Sequence, residues 1–395
     1  MIFETLSPLH IGNGREITPI DFYPEEGIIH ILDTDRLFHD LVKLGASIEE
    51  LVEFFKTPRE DLYVWKHYMK KFRLDPRAYS LYTLKVYGAL GRQSSKIKEF
   101  IKENGKPYVP GSSIKGAIRT AMFYKALKEC GDSSTAMRVV GRVNERTARQ
   151  IGYSKDLVEY YISYLLNQIR HPKGKVDPKR ADDILEAMVF GMVKSASFPG
   201  IMYEPKKDPL KALIIRDTSP IGRKHLSVYK VEVIGNPQLI PIWVEALHPG
   251  TELEMEIIID EKTLKNNQHE FNGILWECLN ELGDPSKVFE EFLWESIKEF
   301  YREVIKMEKA RARGNSVKRF YDQIEGTNGY LIRLGWGSGW LSTTIGVLLK
   351  RERKWEELRR KLRLGRNPYS KTLSQDFPKT FRLATGIPMG WGVIK

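Results

Sequence analysis

The chain has 395 residues, of which 42% are hydrophobic and 29% charged, a balance typical of globular proteins that excludes a disordered or fibrous chain. This length is sufficient for two domains. Lys and Arg (63) outnumber Asp and Glu (51), and the formal net charge of +12 favours a polyanionic partner such as nucleic acid. The alternative is that the excess cations only solvate surface helices.

The N-terminal part is predicted to begin with short strands at residues 2–6, 17–23 and 28–32, followed by a helical insertion at 33–90. A helix is predicted to start after Gly111, and further helices cover about 138–193, with a basic turn at 171–180. The proline-rich segment 198–209 reads as a linker. We therefore expect a domain boundary there.

The C-terminal part begins with β-branched or alternating runs at 211–217, 225–235, 241–247 and 251–260, which predict a mainly antiparallel sheet. A long helix at 274–313, a glycine-rich segment at 335–340 and a basic helix at 348–364 follow. Each half thus offers strands, a helix and a glycine-rich loop. The prediction is an α+β fold of two ferredoxin-like domains, residues 1–205 and 206–395, with helical insertions.

The two cysteines, Cys130 and Cys278, are far apart and form no CxxC, so the sequence supports neither a disulfide framework nor a zinc cluster. A reducing, cytoplasmic location is expected. The start of the chain lacks a charged segment followed by an apolar one, and no apolar run approaches about 18 residues. We expect no membrane partner.

The strongest local signal is the helix start at Gly111, where Ser112 and Ser113 are predicted N-caps. Lys115 and Arg119 form a like-charge pair at the helix end whose dipole disfavours cations, so an external anion is expected to offset them. Free backbone N–H groups, hydroxyls and cations together favour a phosphate site. An ordinary capped helix with solvated cations is the alternative. A P-loop is disfavoured, because the motif's Lys and Ser or Thr are absent.

The second signal is the run Gly335, Trp336, Gly337, Ser338, Gly339 and Trp340, which lacks the third glycine of a dinucleotide-binding loop. Glycines allow a close approach of backbone to ligand, and tryptophans offer stacking faces for single-stranded RNA. Buried tryptophans that close a core are the alternative.

The third signal is the segment 350–366, which holds nine Lys or Arg against three Glu. Its apolar stripe is Trp355, Leu358 and Leu362. The segment is therefore either a contact for RNA or a partner, or an amphipathic helix with a solvated basic face.

For catalysis the sequence offers little: no HExxH, no GxSxG and no cluster with metal-ligand spacing is present. His10 is a candidate general base, although a lone histidine on a loop is more often structural. No catalytic residue, metal or cofactor is predicted.

Six segments occur in a characteristic order, namely LSPLHIGNG, YVPGSSIKGAIRTAM, IRDTSPI, EALHPGTELE, GWGSGW and FPKTFRL. Together they resemble the fifth Csm protein of type III-A CRISPR systems, a RAMP-superfamily family. The resemblance implies two RRM-related domains, no nuclease activity, and a position near the 3′ region of the CRISPR RNA, beside the last backbone RAMP subunit. Target RNA and host nucleases for 3′ maturation are further candidate partners.

Carried onto this sequence, the resemblance implies a guide-binding face with these residues: His10, Gly12, Asn13, Gly14, Gly111, Ser112, Ser113, Lys115 and Arg119, with Arg216, Asp217 and Ser219 on a motif strand and Gly335, Trp336, Gly337, Ser338 and Gly339 on a second loop. Removing Lys115 and Arg119 together is expected to lower RNA occupancy and slightly stabilise the free protein. The alternatives are a RAMP endoribonuclease with His10 as base, and a scaffold that binds only protein.

Overall fold

The computed structural model describes residues 1–56, 66–90, 96–170, 182–197, 199–235, 241–312, 314–367, 370 and 372–395. The predicted basic turn at 171–180 lies outside the described residues. Within these ranges the α+β class is confirmed.

The strands are listed in chain order: β1 (Ile2–Thr5), β2 (Gly12–Ile17), β3 (Phe22–Glu25), β4 (Ile28–Leu32), β5 (Ser80–Tyr87), β6 (Ile97–Phe100), β7 (Lys102–Glu103), β8 (Lys106–Pro107), β9 (Met192–Lys194), β10 (Ile201–Tyr203), β11 (Leu213–Ile215), β12 (Leu226–Ile234), β13 (Ile242–Leu247), β14 (Glu252–Glu254), β15 (Ile257–Ile259), β16 (Tyr330–Arg333), β17 (Phe381–Ala384), β18 (Ile387–Pro388) and β19 (Trp391–Ile394).

The α-helices are likewise listed in chain order: α1 (Thr34–Lys43), α2 (Ile48–Lys56), α3 (Lys66–Phe72), α4 (Gly111–Cys130), α5 (Ser133–Gly141), α6 (Glu145–Ile151), α7 (Leu157–Arg170), α8 (Asp183–Phe190), α9 (Glu261–Asn266), α10 (Ile274–Leu282), α11 (Pro285–Arg311), α12 (Asn315–Glu325), α13 (Trp340–Thr343), α14 (Gly346–Leu349) and α15 (Trp355–Lys361). No helix in the described ranges is both long and apolar enough to cross a membrane.

A large sheet joins the two halves of the chain. Its strand order is β2-β6-β13-β12-β5-β4-β3, and β17 pairs with the distal part of β12 and with β18. Strands from both predicted domains therefore alternate in one sheet, and two separate ferredoxin-like sheets are not found in the described part of the chain. The boundary between residues 205 and 206 stays a prediction, and it would divide this shared sheet.

A smaller sheet brings distant parts of the sequence together in the order β14-β1-β19-β16. β1 lies between β14 and β19, both antiparallel to it, with Phe3 opposite Leu253 on one side and Ile394 on the other. The first and last strands of the described chain are thus neighbours.

One extensive core connects these sheets to the helices that follow Gly111. Helix α4 packs along α11, where the Tyr124 and Phe300 rings lie 5.3 Å apart and the Tyr301 hydroxyl donates to the Ala117 carbonyl at 3.3 Å. Helix α4 is also covalently tied to α10, because Cys130 and Cys278 form a disulfide. The prediction of unpaired cysteines is wrong: the two are distant in sequence but adjacent in the fold.

The helical insertion has its own small core, which includes Leu37, Leu41, Leu51 and Tyr68 from α1 to α3. Its predicted extent is wrong at the C-terminal end, because residues 80–87 form strand β5 of the large sheet. Alternation along this strand is weak, and only Leu84 is fully buried. This is why a helical reading seemed to continue.

Several predicted elements are interrupted by local capping. The predicted strand at 17–23 is wrong across a turn, in which the Thr18 backbone N–H donates to Asp21 Oδ2 at 2.7 Å. The predicted helix at 274–313 is two helices, because Gly283 adopts a φ of +147° and the Asp284 carboxylate caps α11.

Candidate nucleic-acid interface

Two loops that the sequence singled out lie against each other. The Trp336 backbone N–H donates to the His10 carbonyl at 2.8 Å. Gly335 has a φ of +79°, and a Cβ at this position would lie only 2.4 Å from the same carbonyl oxygen. Glycine is therefore required here because the chain's own backbone approaches it, which differs from the expected approach of a ligand.

His10 is buried at this junction, with 1% of its surface exposed. Its Nδ1 donates to the Glu245 carbonyl at 2.6 Å, and its ring packs edge-on against Phe100 and Trp336. Burial lowers the pKa of His10 to about 4, so the ring is neutral at pH 7. The histidine fixes the junction and is a poor general base, since its conjugate acid is too strong.

A buried ion pair supports the junction from behind. Glu245 is fully buried, and one of its carboxylate oxygens accepts from the Phe100 backbone N–H at 2.8 Å and from Lys102 Nζ at 2.6 Å. These contacts fix the end of β6 against β13. They also hold the backbone carbonyl of Glu245 that orients His10.

Strand β2, directly after His10, forms an exposed edge of the large sheet. The Asn13 side-chain amide donates to Glu99 Oε2 at 2.9 Å, and its carbonyl oxygen accepts from the Arg15 backbone N–H at 2.8 Å. Gly14 has a φ of +85°, and a Cβ there would meet nothing within 4 Å. At Gly14 there is thus room for a ligand, whereas Gly12 faces His10 Nε2 at 3.1 Å.

The strand register aligns a row of side chains on one face of the large sheet, which we call the second face. Lys98 is opposite Val244, Val244 is opposite Tyr229, and Tyr229 is opposite Tyr87. Directly paired residues share a face of a sheet, so this row crosses four neighbouring strands. The Tyr87 and Tyr229 rings are stacked 4.7 Å apart.

Trp336 lies over this second face between two cations. The guanidinium of Arg382 is 4.7 Å from the centroid of its ring, and Lys98 Nζ is 6.0 Å from it. Arg382 is opposite Val233 on β12, which places it on the second face as well. Sequence reasoning missed both Lys98 and Arg382, because each is an isolated cation in a short strand and only the register brings them together.

The second candidate group surrounds the start of α4. The N-cap is Pro110, and the Gly111 backbone N–H donates to Asp217 Oδ1 at 2.7 Å. The prediction that Ser112 and Ser113 cap the helix is wrong, since both lie inside its first turn. A Cβ at Gly111 would lie 2.2 Å from the Ile215 carbonyl oxygen, so this glycine too is required by a contact within the chain.

The cations of this helix have partners inside the protein. Lys115 Nζ donates to the Leu213 carbonyl at 2.6 Å. Arg119 pairs with Asp208 at 2.5 Å and with Glu186 at 3.3 Å, and its guanidinium lies 3.6 Å from the centroid of the Phe190 ring. The inference that these cations need an external anion is therefore wrong, because the acids lie far along the sequence.

We expect Arg119→Ala to lower the free energy of unfolding by about 2 kcal/mol, between the values for surface and buried ion pairs, because the Asp208 carboxylate would lose its cation. Asp208 is only 4% exposed. The result is opposite in sign to the gain expected from the sequence. Chemical denaturation measures it, and Arg149→Ala, whose pair with Glu145 is largely exposed, is the control. Equal effects of the two substitutions would contradict the structural role.

The remaining candidates fall into exposed and buried classes. Arg216 is exposed and pairs with Glu256 at 3.0 Å, and the Ser219 backbone N–H donates to the Glu254 carbonyl at 3.1 Å. Ser338 is buried, and its hydroxyl donates to the Gly335 carbonyl at 2.8 Å. The Trp340 ring is stacked 5.4 Å from that of Trp355, so this tryptophan belongs to the core.

The basic segment 350–366 is not one continuous helix but α14, a turn and α15. Trp355 and Leu358 of its predicted apolar stripe are buried, as expected. Several of its cations have acidic partners in the chain, among them Arg351 with Glu303 at 2.5 Å and Lys350 with Asp376 at 2.9 Å. A role in RNA contact stays a prediction. In the ranges that the structure covers, no group of three His, Cys, Asp or Glu could hold a metal ion.

Comparison with known proteins identifies the family. Residues 2–342 match the model of the RAMP superfamily. The chain belongs to the RAMP superfamily. Over its full length it is 52% identical to the Csm5 of T. onnurineus in a crystal structure, with a TM-score of 0.85 and complete coverage of both chains. The same identity, with a TM-score of 0.87, links it to 99% of a chain in a cryo-EM structure of a Csm–crRNA–target RNA ternary complex of a type III-A CRISPR-Cas system.

More distant RAMP relatives are also Csm5 proteins. The Csm5 of Methanocaldococcus jannaschii is 29% identical over 173 residues, which are 41% of this chain and 40% of that protein. The Csm5 of Streptococcus thermophilus is 24% identical over 233 residues, 55% of this chain and 64% of that protein. The matches thus span less than two thirds of these curated relatives.

Proposed function

We propose that this chain is a non-catalytic, RNA-binding subunit of a type III-A Csm complex, located near the 3′ region of the CRISPR RNA beside the last backbone RAMP subunit. The observation that carries the proposal is the full-length match, at 52% identity, to a chain of the Csm–crRNA–target RNA ternary complex. Two chains this similar share their surfaces as well as their fold. Target RNA and, for 3′ maturation, host nucleases are proposed as further partners.

The second face of the large sheet and the adjoining strand β2 support RNA contact. Lys98, Arg382 and Trp336 lie there together, and β2 offers the exposed backbone of Asn13 and Gly14. Cations supply phosphate contacts, and exposed backbone and aromatic rings suit unpaired nucleotides. The exposed residues near the start of α4, Ser112 and Arg216, extend the proposed interface.

The environment of His10 supports the absence of cleavage by this subunit. A RAMP endoribonuclease needs a base that reaches the ribose 2′-hydroxyl, whereas His10 is buried and its Nδ1 is occupied by a backbone carbonyl. The loss of this ring should alter the junction with Trp336 and not any chemical step.

The proposal predicts that Csm complexes assembled without this chain carry CRISPR RNA with a shortened protected 3′ region. The particle is assembled from the other Csm subunits and a labelled guide RNA, with or without this chain, and the protected fragment is measured after nuclease digestion. Adding the wild-type chain should lengthen the fragment, and His10→Ala should leave the guide uncut in the same way. An unchanged fragment, or guide cutting that is lost with His10→Ala, would contradict the proposal.

A further inference from the structure

Arg382 is a half-buried cation without a counter-ion. Its Nε is buried and has no hydrogen-bond partner, and among the residues placed by the structure no carboxylate lies within ion-pair distance of its guanidinium. A guanidinium carries five N–H donors. These donors are thus unused in the free protein.

A neighbouring arginine shows what a structural arginine looks like in this fold. Arg333, two strands away in sequence order, is 2% exposed, pairs with Glu308 at 2.6 Å and donates from Nε to the Met389 carbonyl at 2.9 Å. Both arginines lie over a tryptophan, Arg333 at 5.2 Å from Trp391 and Arg382 at 4.7 Å from Trp336. Only the first is neutralised by the chain itself.

An unpaired, partly buried cation is unfavourable, and burial lowers the pKa of Arg382 accordingly. A solvated lysine would avoid this cost. The fold instead keeps an arginine against a tryptophan ring, where its planar fork is held in one orientation. Such a fork matches the two oxygens of a phosphate, to which it donates in parallel.

Lys98 supplies a second charge at the same ring. Its nearest acid is Glu16, at 4.0 Å, and both side chains are 39% exposed, so this pair is weak. The second face continues past Tyr229 to Tyr87, about 14 Å or three strand spacings from Lys98, where Lys85 Nζ lies 4.9 Å from the Tyr87 ring. Cations and aromatic rings therefore alternate along one face.

We propose that Arg382 and Lys98, held around Trp336, form a subsite for one phosphodiester group of single-stranded RNA. The proposal rests on the proposed RNA-binding function and assigns a specific contact within it. The alternation of rings and cations favours RNA over an acidic peptide, whose carboxylates need no aromatic surface. An acidic segment of a neighbouring subunit is the competing outcome of the test.

The test uses the purified chain and a fluorescein-labelled single-stranded oligouridine RNA, with affinity measured by anisotropy over a range of salt concentrations. Arg382→Gln should weaken binding about tenfold, the effect of one charge-assisted contact. It should also make the dependence of log affinity on log salt shallower by about 0.7, the slope of one phosphate contact to a single strand. Arg382→Lys should keep the salt slope and lose about threefold in affinity, because charge remains but the fork is lost.

Lys230→Gln is the matched control. Lys230 is an exposed cation on the same strand that Arg382 pairs with, but it is opposite Trp243 and so lies on the other face of the sheet. It should leave affinity and slope unchanged. Melting temperatures of all variants should equal that of the wild type, since no contact within the described protein is lost at Arg382.

The outcomes separate this subsite from the proposed function. If the wild type binds the RNA and Arg382→Gln behaves like Lys230→Gln, the subsite is wrong and the RNA-binding function stands. If Arg382→Gln binds RNA normally but fails to join the Csm complex, the cation contacts a neighbouring subunit and the subsite is also wrong. If the wild type neither binds RNA nor joins the complex, the proposed function itself fails.

Discussion

Glu308→Ala is expected to lower the free energy of unfolding by about 3–5 kcal/mol, because it leaves Arg333 as an unpaired cation in the core. Both side chains are almost completely buried, and Tyr321 also donates its hydroxyl to Glu308. The same arginine contacts the carbonyls of Met389 and, more weakly, Gly337. Its release would therefore loosen the glycine-rich loop that carries Trp336.

Urea denaturation of the variant measures this loss. Glu303→Ala is the control on the same helix, since its partner Arg351 is half exposed, and it should cost no more than about 1 kcal/mol. Combining Glu308→Leu with Arg333→Met should recover much of the stability, because no buried charge then remains unpaired. Similar losses for Glu308→Ala and Glu303→Ala would show that the buried pair is not a major contributor.

Replacing Cys130 and Cys278 together by alanine is expected to lower the free energy of unfolding by about 4 kcal/mol, because the disulfide closes a long loop in the unfolded chain. The two cysteines are 148 positions apart. Thermal melts with and without dithiothreitol test this in one experiment. Reductant should lower the melting temperature of the wild type to that of the variant and leave the variant unchanged. A wild type that melts at the same temperature in both buffers would contradict a stabilising disulfide.

The regular elements were predictable where one physical signal dominated. Strands β12 and β13 combine β-branched residues with alternation, and the apolar stripe of α4 at Ile114, Ile118 and Ala121 is buried as its spacing implies. Strand β5 was missed because only one of its residues is fully buried. The sharing of one sheet by the two halves was beyond sequence reasoning, because pairing between distant strands depends on the whole fold.

The candidate site shows the same limit at the level of side chains. The sequence identified the glycines correctly as special positions, but it could not tell whether a ligand or the chain itself approaches them. At Gly111 and Gly335 the approaching atom is a carbonyl oxygen of the protein. Conversely, Arg119 looked available and is paired, whereas Arg382 looked ordinary and has no counter-ion. Charge in a sequence becomes informative about ligands only once its partners are known.

The position of β1 between β14 and β19 sets the order in which the protein can fold as it is synthesised. β1 leaves the ribosome first, yet both of its partners lie in the last half of the chain, and β19 is the last of the described strands. The small sheet can therefore not close around a nascent chain, however fast the local helices form. Completion of this sheet depends on contacts between the most distant parts of the sequence, which makes it the slow step of folding. Until then, the apolar side chain of Phe3 stays exposed to other chains and to chaperones.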